Sequence, residues 1–176
     1  VLGHEHQLDA ATALVDRHPD QVFVVDHAAK PRIRDRVLSP WRERMRDLGR
    51  RPHVFCKLSG LVTEAHPRAW TRDDLEPYVD VVLSAFSPSR VMFGSDWPVC
   101  LAACSYERWL ATVGELCASL SPAERESVLG GTARGHVLHL EDQERAAAGG
   151  LVEDAAGGGD PDLDPDPVAA AQFERK

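Results

Sequence analysis

No stretch of this sequence approaches the roughly 18 consecutive apolar residues that a membrane-spanning helix needs, and its N-terminus lacks the basic-then-apolar layout of a secretory signal. Both absences predict a cytoplasmic protein with no membrane partner. Cysteine is sparse: Cys56, Cys100, Cys104 and Cys117 are the four among 176 residues, too few for the disulfide framework of a small secreted domain. Reduced thiols are expected. Cys100 and Cys104 have a spacing that could serve a metal, but no second close pair accompanies them, so a cysteine-held zinc is not expected. A net basic balance is also missing, since the formal charge is −8. From Glu141 onward ten acids face three bases, so about −7 of that charge belongs to the last 36 residues and the body is nearly neutral. Arg32, Arg34, Arg36, Arg42, Arg44 and Arg46 form a basic run that reads as a solvated helix with its approach loop. Nucleic acid is therefore not an expected partner.

With 43% hydrophobic residues, the chain is long enough and apolar enough for one modest core. Residues 1–140 carry the pattern of that core. Residues 141–176 are an acidic stretch rich in Gly, Pro and Asp with almost no large apolar residue, which predicts a disordered tail.

Within the body, Gln21–Asp26 (QVFVVD), Val54–Leu58 (VFCKL) and Arg90–Phe93 (RVMF) are short β-branched runs. Their spacing of roughly 35 residues is that of βαβ units, so they predict buried parallel strands. A helix over residues 7–18 precedes the first. Between the second and third, Leu75, Tyr78, Val79, Val82, Leu83 and Phe86 recur at helical spacing after the start signals Thr71 and Asp74. Tyr106, Trp109, Leu110, Val113, Leu116, Cys117 and Leu120 make another stripe. Ser121, Pro122 and Glu124 then open a further helix through a capping box, which Gly130 and Gly131 are expected to end.

Polar residues follow each strand: Asp26-His27 after QVFVV, Ser59-Gly60 after VFCKL, and Ser95-Asp96-Trp97 after RVMFG. All fall at C-terminal strand ends. In α/β barrels that end holds the active site, because the βα loops converge there and the strands fix the side chains.

The segments FVVDHAAKP (Phe23–Pro31), CKLSGLVT (Cys56–Thr63) and VMFGSDWP (Val91–Pro98), in this order and spacing, resemble the amidohydrolase-related metal-dependent hydrolases, in particular their sugar and dicarboxylate lactonase branch. The resemblance covers roughly residues 7–140. It implies an α/β fold, the C-terminal part of a (β/α)8 TIM barrel, with a metal or substrate site built from a His-x-His pair after the first strand, a later His, and an Asp after the last strand. His27 matches the later His and Asp96 the last-strand Asp. Both are therefore expected as catalytic groups and as ligands of a divalent metal, zinc or manganese, although some members of the family work without an ion. Opening a small lactone needs an activated water, a polarised carbonyl and a proton for the departing alkoxide. Asp96 is the expected base, and a neutral His27 would bind the ion or the developing oxyanion. Lys30, Ser59 and Trp97 are expected as substrate contacts, with a structural role open for each and packing favoured for Trp97.

A complete barrel of this kind needs about 250 residues and eight strands, whereas three strands are clear here, with the end of another suggested at Val1–Gly3. The expected partners are a small lactone and either a missing N-terminal barrel half or a second copy of the chain. His4-Glu5-His6 imitates the missing His-x-His pair, yet it falls after the strand preceding QVFVVD, where the family does not place its metal pair, and is not expected to ligate. Two other readings stand beside lactone hydrolysis: an inactive truncated barrel serving as an interaction module, and a metal-dependent nonoxidative decarboxylase.

Overall fold

The computed structural model describes residues 4–135. The predicted acidic tail and the suggested strand end at Val1–Gly3 lie outside the described residues. The elements alternate as the sequence spacing predicts: α1 (Leu8–Arg17), β1 (Phe23–Val25), α2 (Trp41–Leu48), β2 (Val54–Leu58), a single turn α3 (Leu61–Glu64), α4 (Arg72–Phe86), β3 (Val91–Phe93), α5 (Tyr106–Leu116) and α6 (Pro122–Glu126).

The strands form one parallel sheet in the order β1-β2-β3, with Val25 opposite Cys56 and Leu58 opposite Phe93. This mixed α/β arrangement is consistent with part of a barrel wall. Val54, Cys56 and Leu58 of β2 point to one face and are fully buried, where they meet the apolar stripes of the helices in a core that includes Trp41, Met45, Leu75, Val79, Val82, Phe86, Trp109 and Val113. The alternate positions of β2 face the other way, and there Phe55 is partly buried while Lys57 is exposed. Strand periodicity of two thus sorts β2 into a helix-facing side and an inner side.

Two strands are shorter than the sequence suggests. Gln21 and Val22 precede β1, Asp26 leaves it because the chain turns sharply there, and Arg90 belongs to a short 3-10 turn, Pro88–Arg90, before β3. The capping signals hold in detail. Thr71 and Asp74 exchange hydrogen bonds at the start of α4, and Ser121 and Glu124 do so at the start of α6, each satisfying amide groups that a helix start leaves orphaned. Gly130 and Gly131, by contrast, do not end the last helical segment. A wider π-type turn spans Ser127–Gly131, with a kink at Gly130, and residues 132–135 are again helical. Burial of Val128 in the core supports that turn where helix propensity alone would not.

Surface arginines pair with acids: Arg44 with Asp9 at 2.7 Å, Arg51 with Asp16 at 2.9 Å, Arg36 with Asp74 at 3.1 Å. The basic run is therefore a solvated, locally neutralised face. At the N-terminal end of the strands, Arg90 donates to the carbonyls of Gly49, Arg51 and Val54, each at 2.8 Å.

Candidate active site

The chain leaves β1 through Asp26–Ala29 and at once enters an unusual conformation. His27, Ala28, Ala29 and Lys30 all have positive φ, 48°, 48°, 56° and 50°. For residues with a Cβ, each such conformation costs on the order of 1–2 kcal/mol, so the surroundings must impose it. Ala28 and Ala29 are buried in the core, the Trp41 indole donates to the Ala28 carbonyl at 2.8 Å, and the Lys30 amide donates to the His27 carbonyl at 2.9 Å. The result is a tight left-handed turn that brings His27 over the end of the sheet. The loop after β3, which bears Asp96, is pinned in the same manner. The Trp109 indole donates to the Gly94 carbonyl at 2.9 Å, two residues before Asp96, which itself has φ 54°.

These constraints bring three expected residues together. His27 Nδ1 lies 2.8 Å from Ser59 Oγ, and Ser59, just past β2, is only 1% exposed. On the other side of the ring, His27 Nε2 is 3.7 Å from Asp96 Oδ1 and 3.5 Å from Asp26 Oδ2. One imidazole therefore has its rear nitrogen fixed by a buried hydroxyl and its front nitrogen turned to two carboxylates. Such rear anchoring selects the ring's orientation and tautomer. Gly60 allows the close fit: its φ is +66°, and a Cβ there would lie 2.9 Å from the Cβ, Cγ and Nδ1 of His27.

Lys57 is a site member that the sequence reading did not single out, and Asp26, noted there only as a strand-end polar residue, is another to which it gave no role. Lys57 Nζ is 3.1 Å from Asp26 Oδ1, the two residues standing side by side one step beyond the register pair Val25–Cys56. That Asp26 oxygen is buried and has no hydrogen bond of good geometry, so the ion pair is its main compensation. A lysine inside VFCKL reads in sequence as an ordinary solvent-facing strand position. Only the register reveals that it faces the site.

The remaining expected residues lie at the margin. Lys30 donates to Glu64 Oε1 at 3.1 Å, joining the loop after β1 to the turn after β2. Trp97 is 66% exposed, so the favoured packing role is corrected: its ring does not belong to the core. Val99, Leu101 and Tyr106 in the same stretch are exposed as well. His4 and His6 stack on each other, ring centroids 5.7 Å apart, and no hydrogen bond or ion pair links them to His27 or Asp96.

Among the described residues, no group of three or more His, Cys, Asp or Glu side chains forms a metal site by itself. A partial fit is nonetheless present. Two ligands at about 2.0–2.1 Å from a tetrahedral ion stand roughly 3.3 Å apart, and His27 Nε2 to Asp96 Oδ1 at 3.7 Å is a little wider than that. The pair has the donor chemistry for a zinc-like ion, as an incomplete set.

The amidohydrolase family model matches residues 2–135. The chain is 46% identical over 143 residues to an L-fucono-1,5-lactonase of Burkholderia multivorans and 43% identical over 133 residues to one of Burkholderia ambifaria. The alignments cover 76% and 72% of this chain but 48% and 44% of those proteins, so the chain spans about half the length of the curated relatives it matches. A crystal structure of an amidohydrolase from Burkholderia multivorans with bound zinc superposes with a TM-score of 0.72 at 45% identity, over 76% of this chain and 49% of that one. An amidohydrolase from Bifidobacterium longum, at 18% identity and a TM-score of 0.58 over 76% of this chain and 46% of that one, shares the fold.

Proposed function

We propose, from the premise that this chain belongs to the amidohydrolase family, that it supplies the C-terminal strands of a (β/α)8 hydrolase barrel that opens a sugar 1,5-lactone. The observation that carries the reading is the meeting of His27 Nε2 and Asp96 Oδ1 at 3.7 Å, at the C-terminal ends of strands where such barrels place their chemistry. The identity to two L-fucono-1,5-lactonases favours a sugar lactone over a dicarboxylate one. The family match ends at residue 135, which supports a domain boundary near residue 140 and a separate acidic tail.

In this mechanism Asp96 accepts a proton from the attacking water and returns it to the ring oxygen as the C–O bond breaks. His27, held from behind by Ser59, presents Nε2 to the carbonyl oxygen and stabilises the charge that develops there. Ser59 is proposed to act through the ring, since it is buried beneath it. Lys30 and Trp97 flank the opening and are proposed to contact the substrate's hydroxyls and its C–H face. Where a zinc or manganese ion is bound, it would be held by His27 and Asp96 and would polarise the carbonyl and acidify the water.

The test is a pH-indicator assay against a panel of sugar and dicarboxylate lactones, with and without zinc or manganese, on this chain and on a form extended at its N-terminus to the relatives' full length. Hydrolysis of 1,5-lactones by the extended form is expected. Failure of both forms on every lactone would refute the reading and leave an interaction module or a decarboxylase.

A further inference from the structure

The ion pair between Lys57 and Asp26 has no part in the mechanism above, yet it occupies the inner face of the sheet directly beside the reacting groups. Asp26 and Asp96 both face the same imidazole nitrogen, at 3.5 and 3.7 Å. Two carboxylates around one nitrogen concentrate negative charge, and the described residues supply one cation at that point: Lys57 Nζ, 3.1 Å from Asp26 Oδ1. The other nearby lysine, Lys30, is engaged with Glu64. The Lys57 side chain is 46% exposed, so the ammonium reaches Asp26 from a position open enough for it to swing away. Asp26 is only 16% exposed and keeps a buried oxygen without a hydrogen bond. It would be costly to leave without any cation.

We infer that Lys57 is a tethered counter-cation that competes with a divalent metal for this site. With the ammonium on Asp26 Oδ1, the cluster is partly neutralised while Oδ2 still faces the imidazole nitrogen. An ion arriving at His27 and Asp96 then meets two donors and a repelling positive charge. When the ammonium moves aside, the repulsion falls and the Asp26 carboxylate turns its full charge toward the ion. Lys57 thereby sets how tightly the site holds a metal, and gives the carboxylates a cation when none is bound. The inference rests on the reading of His27 and Asp96 as cation-facing groups and goes beyond it by naming the residue that tunes the site.

The test is zinc affinity, read by competition with a chromophoric chelator on the intact protein. Lys57→Met is expected to tighten zinc binding by about tenfold or more, since removing a unit charge within a few ångströms of a dication is a large effect at protein dielectrics. Lys57→Arg should stay close to the parent, and adding Asp26→Asn to Lys57→Met should abolish the gain. Equal affinity in the parent and Lys57→Met would overturn the proposal. Should Lys57→Met fail to fold, acetic anhydride labelling of the unsubstituted protein decides: saturating zinc is expected to raise the reactivity of Lys57, and unchanged reactivity refutes displacement. Lactone hydrolysis measured on the same preparations separates the two readings, because it reports the function of His27 and Asp96 whether or not Lys57 governs affinity.

Discussion

Substituting alanine for Gly60 tests the claim that the position of His27, and not its mere presence, makes the site. The new methyl carbon would stand 2.9 Å from three atoms of His27, whereas apolar contacts settle near 3.5–4.0 Å. The ring must therefore retreat by about 0.5–1 Å, away from Ser59 and relative to Asp96. A misplacement of about 1 Å in a reacting group can cost on the order of a hundredfold in rate, so kcat/KM should fall by roughly 10- to 100-fold. Stability should suffer much less. Alanine at φ +66° carries about 1–2 kcal/mol of left-handed strain, which lowers the Tm of a chain this size by about 2–8 °C. The matched control is Gly49→Ala, whose Cβ would strike the Ala85 carbonyl oxygen among the helices, and which should destabilise without altering the activity of folded molecules. Lactone hydrolysis and thermal melting of both variants decide the matter. If Gly60→Ala melts lower but keeps kcat/KM within about threefold, Gly60 serves only the fold and the positioning argument fails.

Three further expectations follow from the same geometry. Asp96→Asn should reduce hydrolysis by about a hundredfold or more while melting within a few degrees of the parent; substantial residual activity would remove Asp96 from the role of base. Ser59→Ala deletes the hydroxyl 2.8 Å from His27 Nδ1 and should lower kcat by about tenfold with KM nearly unchanged, at a stability cost of about 1 kcal/mol; a change in KM alone would point instead to direct substrate contact. Stability should also decline in acid. Thr71's amide and then its hydroxyl hold the Asp74 carboxyl below its ordinary 3.8, and Ser121's hydroxyl and then its amide hold Glu124 below 4.5. Carboxyls that ionise more readily when folded add stability above their unfolded pKa and lose it as pH falls through the folded value. Urea midpoints should drop below about pH 4, and less steeply in a Thr71→Ala, Ser121→Ala double variant.

Much of this arrangement was readable in the sequence because it rests on local chemistry. β-branched runs announce buried strands, Thr71 and Ser121 announce helix starts, and the segments around His27 and Asp96 are specific enough to suggest their roles. The left-handed turn at 27–30 was not readable. Ala28 and Ala29 carry none of the Gly, Asn or Asp signals of such backbone, and only burial and the Trp41 hydrogen bond enforce it. Lys57 was hidden for a different reason: its partner Asp26 is 31 positions away and meets it through strand register. The continuation past Gly130 likewise depends on Val128 reaching the core, a tertiary effect that outweighs the local preference of glycine to stop a helix.

Arg90 sits at the strand end remote from His27, where one guanidinium satisfies three carbonyls. The two ends of this short sheet thus have different tolerances. The lower end is knit by hydrogen bonds that touch no reacting group, so heat resistance can be raised or lowered there with little effect on turnover per folded molecule. The upper end holds its backbone in strained conformations that the core must enforce, and a change that relaxes it would yield a sturdier protein with a displaced imidazole. Selection for thermal tolerance in this protein should therefore collect its useful substitutions at the lower end, keeping Gly49 and Arg90 in place, and spare the turn from Asp26 to Lys30.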